Sequence, residues 1–121
     1  MVYQPIQTRF GMLRGRDALE AVSLTLSGAT LRLEAILNID GGLHRCRLEF
    51  DGVRSYRVTA LDDFQGDLSS SFDEVIGSDW AQSAKHYQVI SYHFALEVQC
   101  VAGRIRVTDL DGQSLEGRNL E

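Results

Sequence analysis

The sequence predicts a mainly β domain of antiparallel strands, and three observations carry that expectation. Apolar and polar residues alternate with a period of two, the alternating stretches are short, and turn-forming pairs such as Gly28-Ala29, Asp40-Gly41 and Asp51-Gly52 separate them. A period of two places successive side chains on opposite faces of a strand, so one face can be buried while the other stays wet. The expected arrangement is an antiparallel meander forming a curled sheet or a two-sheet sandwich, with at most one or two short helices.

The chain has 121 residues, 44% apolar and 24% charged, which is the length and composition of a single globular domain spanning 1–121. No apolar run approaches the roughly 20 residues of a membrane helix. The opening Met1-Val2-Tyr3-Gln4-Pro5 lacks the basic-then-apolar plan of a signal peptide, so a cytoplasmic location is expected.

The first twenty residues alternate poorly and hold Pro5, Gly11 and Gly15, which places a short strand or loop around Ile6 to Leu13. Glu20 to Ser27 reads as a strand with Val22, Leu24 and Leu26 on one face. Gly28-Ala29 turns the chain into a second strand, Thr30 to Ile39, with Leu31, Leu33, Ala35, Leu37 and Ile39 inward. Asp40-Gly41-Gly42 then supplies the residues that tolerate positive φ in a tight hairpin.

Leu43 to Phe50 puts Cys46, Leu48 and Phe50 on one face. After Asp51-Gly52, Val53 to Ala60 continues with Tyr56, Val58 and Ala60 inward. Three strands joined by two short turns make a meander, and the strand ahead of them completes a four-stranded sheet with one solvated face.

Leu61 to Ala84 fits two readings. Leu68, Phe72, Val75 and Ile76 suit helical spacing, with Ser69-Ser70-Ser71 as a cap and Asp73 and Glu74 in the first turn. An irregular strand from Phe72 to Trp80, ending near Gly77, is favoured because Ser, Asp and Gly are poor helix-interior residues. Tyr87 to Val101 is β-rich but too long for one regular strand, so a bulge or bend is expected near His93 to Ala95. Ala102-Gly103 turns the chain into Arg104 to Thr108, and the polar tail 109–121 is expected to fray.

No constellation for catalysis emerges from this pattern, and the expectation is a non-catalytic protein without a cofactor. Ser91 and His93 share a strand face and are the nearest approach to a nucleophile and base, but no Gly-x-Ser-x-Gly turn accompanies them. Asp62-Asp63 and Asp73-Glu74 are adjacent carboxylates, which on a strand point to opposite faces. Asp109-Leu110-Asp111-Gly112 opens like a calcium loop, but no glutamate follows at the required position. His44, His86 and His93 lack the close spacing of a zinc site, and Cys46 and Cys100, both on inward faces, read as buried free thiols.

Charge is more informative. A net charge of −5 argues against sequence-independent binding of nucleic acid or anionic lipid. Arginines bunch at Arg9, Arg14 and Arg16 and again at Arg45, Arg47, Arg54 and Arg57, and are expected on solvated faces or paired with acids. Between Arg57 and Lys85 there is no cation, while Asp62, Asp63, Asp67, Asp73, Glu74 and Asp79 fall inside the gap and Trp80 closes it. This run reads either as a solvated connection with Trp80 tucked into the core or as an acidic surface with an aromatic anchor, which suits a basic protein partner.

The order Leu48-Glu49-Phe50, Asp51-Gly52-Val53, a further strand, an acidic loop and a tyrosine-bearing strand leads into Leu96-Glu97-Val98-Gln99-Cys100 and Arg104-Ile105-Arg106-Val107. Over roughly Arg47 to Val107 this resembles a group of small, uncharacterised, β-rich bacterial proteins, some of them immunity proteins of polymorphic toxin systems. The resemblance implies a stand-alone cytosolic protein that acts by binding, with a basic toxin domain as partner. The alternatives are a small-ligand-binding domain or a structural homo-oligomer, since exposed strand edges also suit a homodimer.

Overall fold

The computed structural model describes residues 1–8, 11–13, 18–39, 42–101 and 105–109. In chain order the strands are β1 (Val2–Pro5), β2 (Gln7–Thr8), β3 (Gly11–Met12), β4 (Leu19–Ser27), β5 (Thr30–Ile39), β6 (Gly42–Phe50), β7 (Val53–Ala60), β8 (Phe72–Ile76), β9 (Lys85–Ile90), β10 (Phe94–Cys100) and β11 (Ile105–Asp109). Among the described residues, helix is confined to two 3₁₀ turns, Leu61–Asp63 and Trp80–Gln82. The protein is therefore mainly β, as the alternation predicts.

Two antiparallel sheets hold the fold, one of five strands in the order β1-β8-β9-β10-β7 and one of four in the order β11-β6-β5-β4. They do not close into a barrel. The short β2-β3 pair forms a third, two-stranded sheet. Between the sheets Leu31, Leu33, Ala35 and Leu37 of β5 and Cys46, Leu48 and Phe50 of β6 meet Phe72, Tyr87, Val89, Leu96, Val98 and Cys100 of the larger sheet. Phe50, Phe72 and Tyr87 pack as a trio with ring centroids 5.8 to 6.4 Å apart, Phe50 edge-on to Phe72, which ties the sheets together. Both cysteines are free and buried, and burial pushes the thiol pKa of Cys46 up to about 12 and that of Cys100 up to about 11.

The β4-β5-β6 meander matches the sequence reading. Ile39 pairs with Gly42 across the β5-β6 hairpin, while Asp40 and Gly41 themselves lie outside the described residues. So do Arg9, Arg14, Arg16, Arg104, the Asp109-Gly112 turn beyond Asp109, and the rest of the tail.

Four expectations are corrected. β7 does not continue the meander: the corner at Asp51-Gly52 sends it into the other sheet, where it pairs with β10, and β11 takes its place beside β6. Gly52 makes that corner at φ +66°, and a Cβ there would lie 3.0 Å from the Val101 side chain. Tyr56 and Val58 pair with Val98 and Leu96 and so face the core side, but β7 is an edge strand and they remain 41% and 48% exposed; Ala60 is exposed as well. Val22 does not share a face with Leu24, because a bulge between Ala21 and Ser23 turns it out to solvent. Finally, Tyr87 to Val101 is no single bent strand: Ser91-Tyr92-His93 turns β9 back into β10 as a hairpin.

Candidate functional site

Because β9 is the central strand of the larger sheet, its two faces should both find cover. One packs on the core through Tyr87 and Val89, while the other carries His86, Gln88 and Ile90. Cross-strand register then aligns a polar row over this outer face: Asp73 on β8 opposes Gln88 on β9, Gln88 opposes Glu97 on β10, and Glu97 opposes Arg57 on β7. An outer sheet face is ordinarily wet, yet Asp73 and Gln88 are each 1% exposed, His86 5% and Glu97 7%. The cover comes from the segments 61–71 and 77–84, which fold over this face rather than over the core.

Hydrogen bonds seat both segments. Gln88 Nε2 donates to the Asp67 carbonyl at 2.6 Å, and Gln99 Nε2 donates to the Trp80 carbonyl at 3.2 Å. Asp67 shapes its own loop by accepting the Ser69 backbone N–H at 2.8 Å, which holds its carboxyl below the usual range. Beyond β8, Gly77 at φ +84° reverses the chain and presents Ser78 to the sheet.

Between the two segments lies an open groove of about 720 Å³, lined by Tyr3, Arg57, Ser78, Trp80, His86 and Glu97, with Asp63 and Asp79 among its remaining walls. That volume falls in the range of ligand-binding clefts. At its floor Glu97 Oε2 lies 3.1 Å from His86 Nε2, and Glu97 Oε1 accepts from Arg57 Nε at 3.2 Å and Nη2 at 2.9 Å. The bond from His86 holds the Glu97 carboxyl low, against the opposing effect of burial, and the Arg57 bonds and charge add to it. Ser78 Oγ lies 2.7 Å from His86 Nδ1, and it accepts the Ala81 backbone N–H at 3.1 Å. The Trp80 ring leans over His86 with centroids 5.1 Å apart, and the Arg57 guanidinium sits 5.1 Å from the Trp80 ring centre.

Asp73 completes the row in a different state. Both of its carboxylate oxygens are buried without a hydrogen-bond partner. Burial raises its pKa to about 6; the Ser70 hydroxyl, engaged with the Phe72 backbone, offsets only part of this, and the nearby Asp67 charge adds to it.

The acidic run is thus divided by the fold. Asp62, Asp63, Asp67 and Asp79 are exposed on the two covering segments, and Trp80 is half-buried between them. Asp73 is not on the surface at all. Glu74 points to the other side of β8 and pairs with Lys85 at 3.1 Å. The aromatic anchor expected at Trp80 is in part occupied by the chain's own Arg57 and His86.

Ser91 and His93 do not make the pairing their spacing suggests. Ser91 Oγ donates to the Phe94 carbonyl at 2.9 Å and accepts the backbone N–H groups of Phe94 and His93, so it closes the β9-β10 turn. The exposed His93 ring stands edge-on to Tyr92. The residues that sequence reasoning missed are Ser78, His86, Glu97 and Arg57 in combination. A usable signal existed in the polar residues at alternate positions of two strands rich in apolar ones, His86 and Gln88 on one and Glu97 on the other.

Among the described residues, no group of three or more His, Cys, Asp or Glu side chains is placed to hold a metal ion, and no helix is long and apolar enough to cross a membrane. No protein-family model matches the chain, and no curated protein or solved structure matches it significantly.

Proposed function

We propose that this is a binding protein whose partner is a basic protein, held at the groove between segments 61–71 and 77–84, and that its role is to block a basic toxin domain. One observation carries the reading: the two segments that hold Asp62, Asp63, Asp67 and Asp79 cover the same sheet face and flank one groove. Four exposed carboxylates on the segments bordering this groove, two of them lining it, in a molecule of net charge −5, favour the approach of a cation. The groove offers an approaching arginine or lysine a carboxylate rim and the half-buried Trp80, whose ring already receives one guanidinium, from Arg57.

The experiment is affinity capture from the native host followed by kinetics with the purified captured protein. A basic protein is expected, with an association rate that falls at least tenfold when Asp62, Asp63, Asp67 and Asp79 are changed to lysine and that loses most of its salt dependence. Capture of partners indifferent to these substitutions contradicts the proposal.

A further inference from the structure

The hydrogen-bonded chain at the groove floor has an order that partner binding does not require. Glu97 is held ionised and can only accept, so it takes the hydrogen bond of a His86 Nε2–H, and with the ring proton on Nε2 the Nδ1 atom is left as an acceptor. The group facing Nδ1 at 2.7 Å is the Ser78 hydroxyl, whose proton therefore points at a base. Glu97 is fixed in turn by two bonds from Arg57. Ser78, His86 and Glu97 come from the loop after β8, from β9 and from β10, three different elements brought together at the floor of an open cavity.

We propose that Ser78 is an activated nucleophile, with His86 as its general base and Glu97 as the residue that positions His86, and that the groove takes a small neutral or cationic carboxylic ester. The arrangement has the logic of a serine–histidine–carboxylate relay with the two imidazole nitrogens exchanged in role. Ser78 Oγ bonds to the ester carbonyl carbon as its proton passes to His86 Nδ1. The carbon–oxygen bond to the leaving alcohol breaks, and that alcohol takes the proton from His86. Water then attacks the acyl-serine, returning the proton to Ser78 and releasing the carboxylic acid. The Ala81 N–H that already bonds Ser78 Oγ fixes the rotamer in which the hydroxyl meets the base. The acidic rim of Asp63 and Asp79 disfavours anionic esters, and the walls of Tyr3, Phe64 and Trp80 suit an apolar acyl or alcohol part.

The test uses the full chain and a neutral alkyl fluorophosphonate, which forms an Oγ–P bond with loss of fluoride. The expected result is a single adduct by intact mass, mapped to Ser78 and absent in Ser78→Ala. His86→Asn is expected to slow labelling by about 100-fold or more, as loss of a general base does. Glu97→Gln is expected to slow it less and to shift the midpoint of its pH profile, which loss of packing alone does not do. Ser83→Ala, on the exposed side of the same segment, labels as the parent does. Melting curves confirm that each variant is folded. A folded parent protein that forms no Ser78 adduct, or an equal labelling rate in folded His86→Asn, overturns the proposal. Partner binding that survives Ser78→Ala while labelling is lost separates this activity from the binding role.

Discussion

Asp73 and Glu97 stand on one cross-strand row, with Gln88 between them, and their carboxyls respond to that shared face with opposite sign. Glu97 has donors, so its folded pKa lies below the ordinary 4.5; the stability it contributes is present above that value and is lost as pH falls through the folded pKa. At Asp73 burial outweighs the one hydroxyl nearby, that of Ser70, so its pKa is raised from 3.8 to about 6. Between those values the folded state binds more protons than the unfolded one, and stability falls as pH rises, by about 3 kcal/mol in all once both states are ionised. Asp73→Asn removes the buried charge and is expected to raise Tm at pH 8 by on the order of 10 °C, with the gain vanishing near pH 4. Thermal melts across that range check it; a gain that is the same at both ends contradicts the assignment. Glu97→Gln has the reverse profile, most destabilising near neutral pH, because it leaves Arg57 and His86 without their anion.

At the scale of elements, the corner at Gly52 decides which sheet β7 joins. Its positive φ and the 3.0 Å approach of Val101 make Gly52→Ala strained in backbone and in space, and a loss of about 2 kcal/mol is expected in denaturant unfolding, where Gly28→Ala, with open space around it, loses only the backbone part. The same corner shows how much of the fold was legible. The strands β5 and β6 were, since Leu31 through Leu37 and Cys46 through Phe50 alternate strictly and their partners are adjacent in the chain. The hairpin at residues 91–93 and the sheet switch at β7 were not, because a continuous β-rich run such as Tyr87 to Val101 and a second short turn look alike whether the chain bulges, returns or crosses over. The candidate site suffers most from this. Asp62, Asp63, Asp67 and Asp79 could be read off as a charge gap, but the row Asp73-Gln88-Glu97-Arg57 depends on non-local pairing of β8, β9, β10 and β7, which period-two alternation does not encode. Asp73 and Asp67 are six residues apart in sequence; one is the most buried acid of the row and the other is in solvent.

Taken whole, the molecule buries one face of each sheet in a shared apolar core and uses the second face of the larger sheet as a polar floor. The aromatic trio is what joins the sheets, so Phe50→Ala is expected to cost about 3 to 5 kcal/mol and to be the most damaging of the substitutions named here. The proposed binding role falls on the opposite side, where charge and an aromatic ring would divide the work: the exposed aspartates would set how fast a basic partner arrives and Trp80 how long it stays. Trp80→Ala is therefore expected to raise the dissociation rate about tenfold or more with little change in association. Binding at the groove between the two covering segments is read out by backbone hydrogen exchange of the full chain with and without the captured basic protein. Slowed exchange is expected, confined to residues 61–67 and 78–82 and to the adjoining ends of β7 and β9. Protection that falls instead on β4, β5 and β6, with the two segments unchanged, contradicts it.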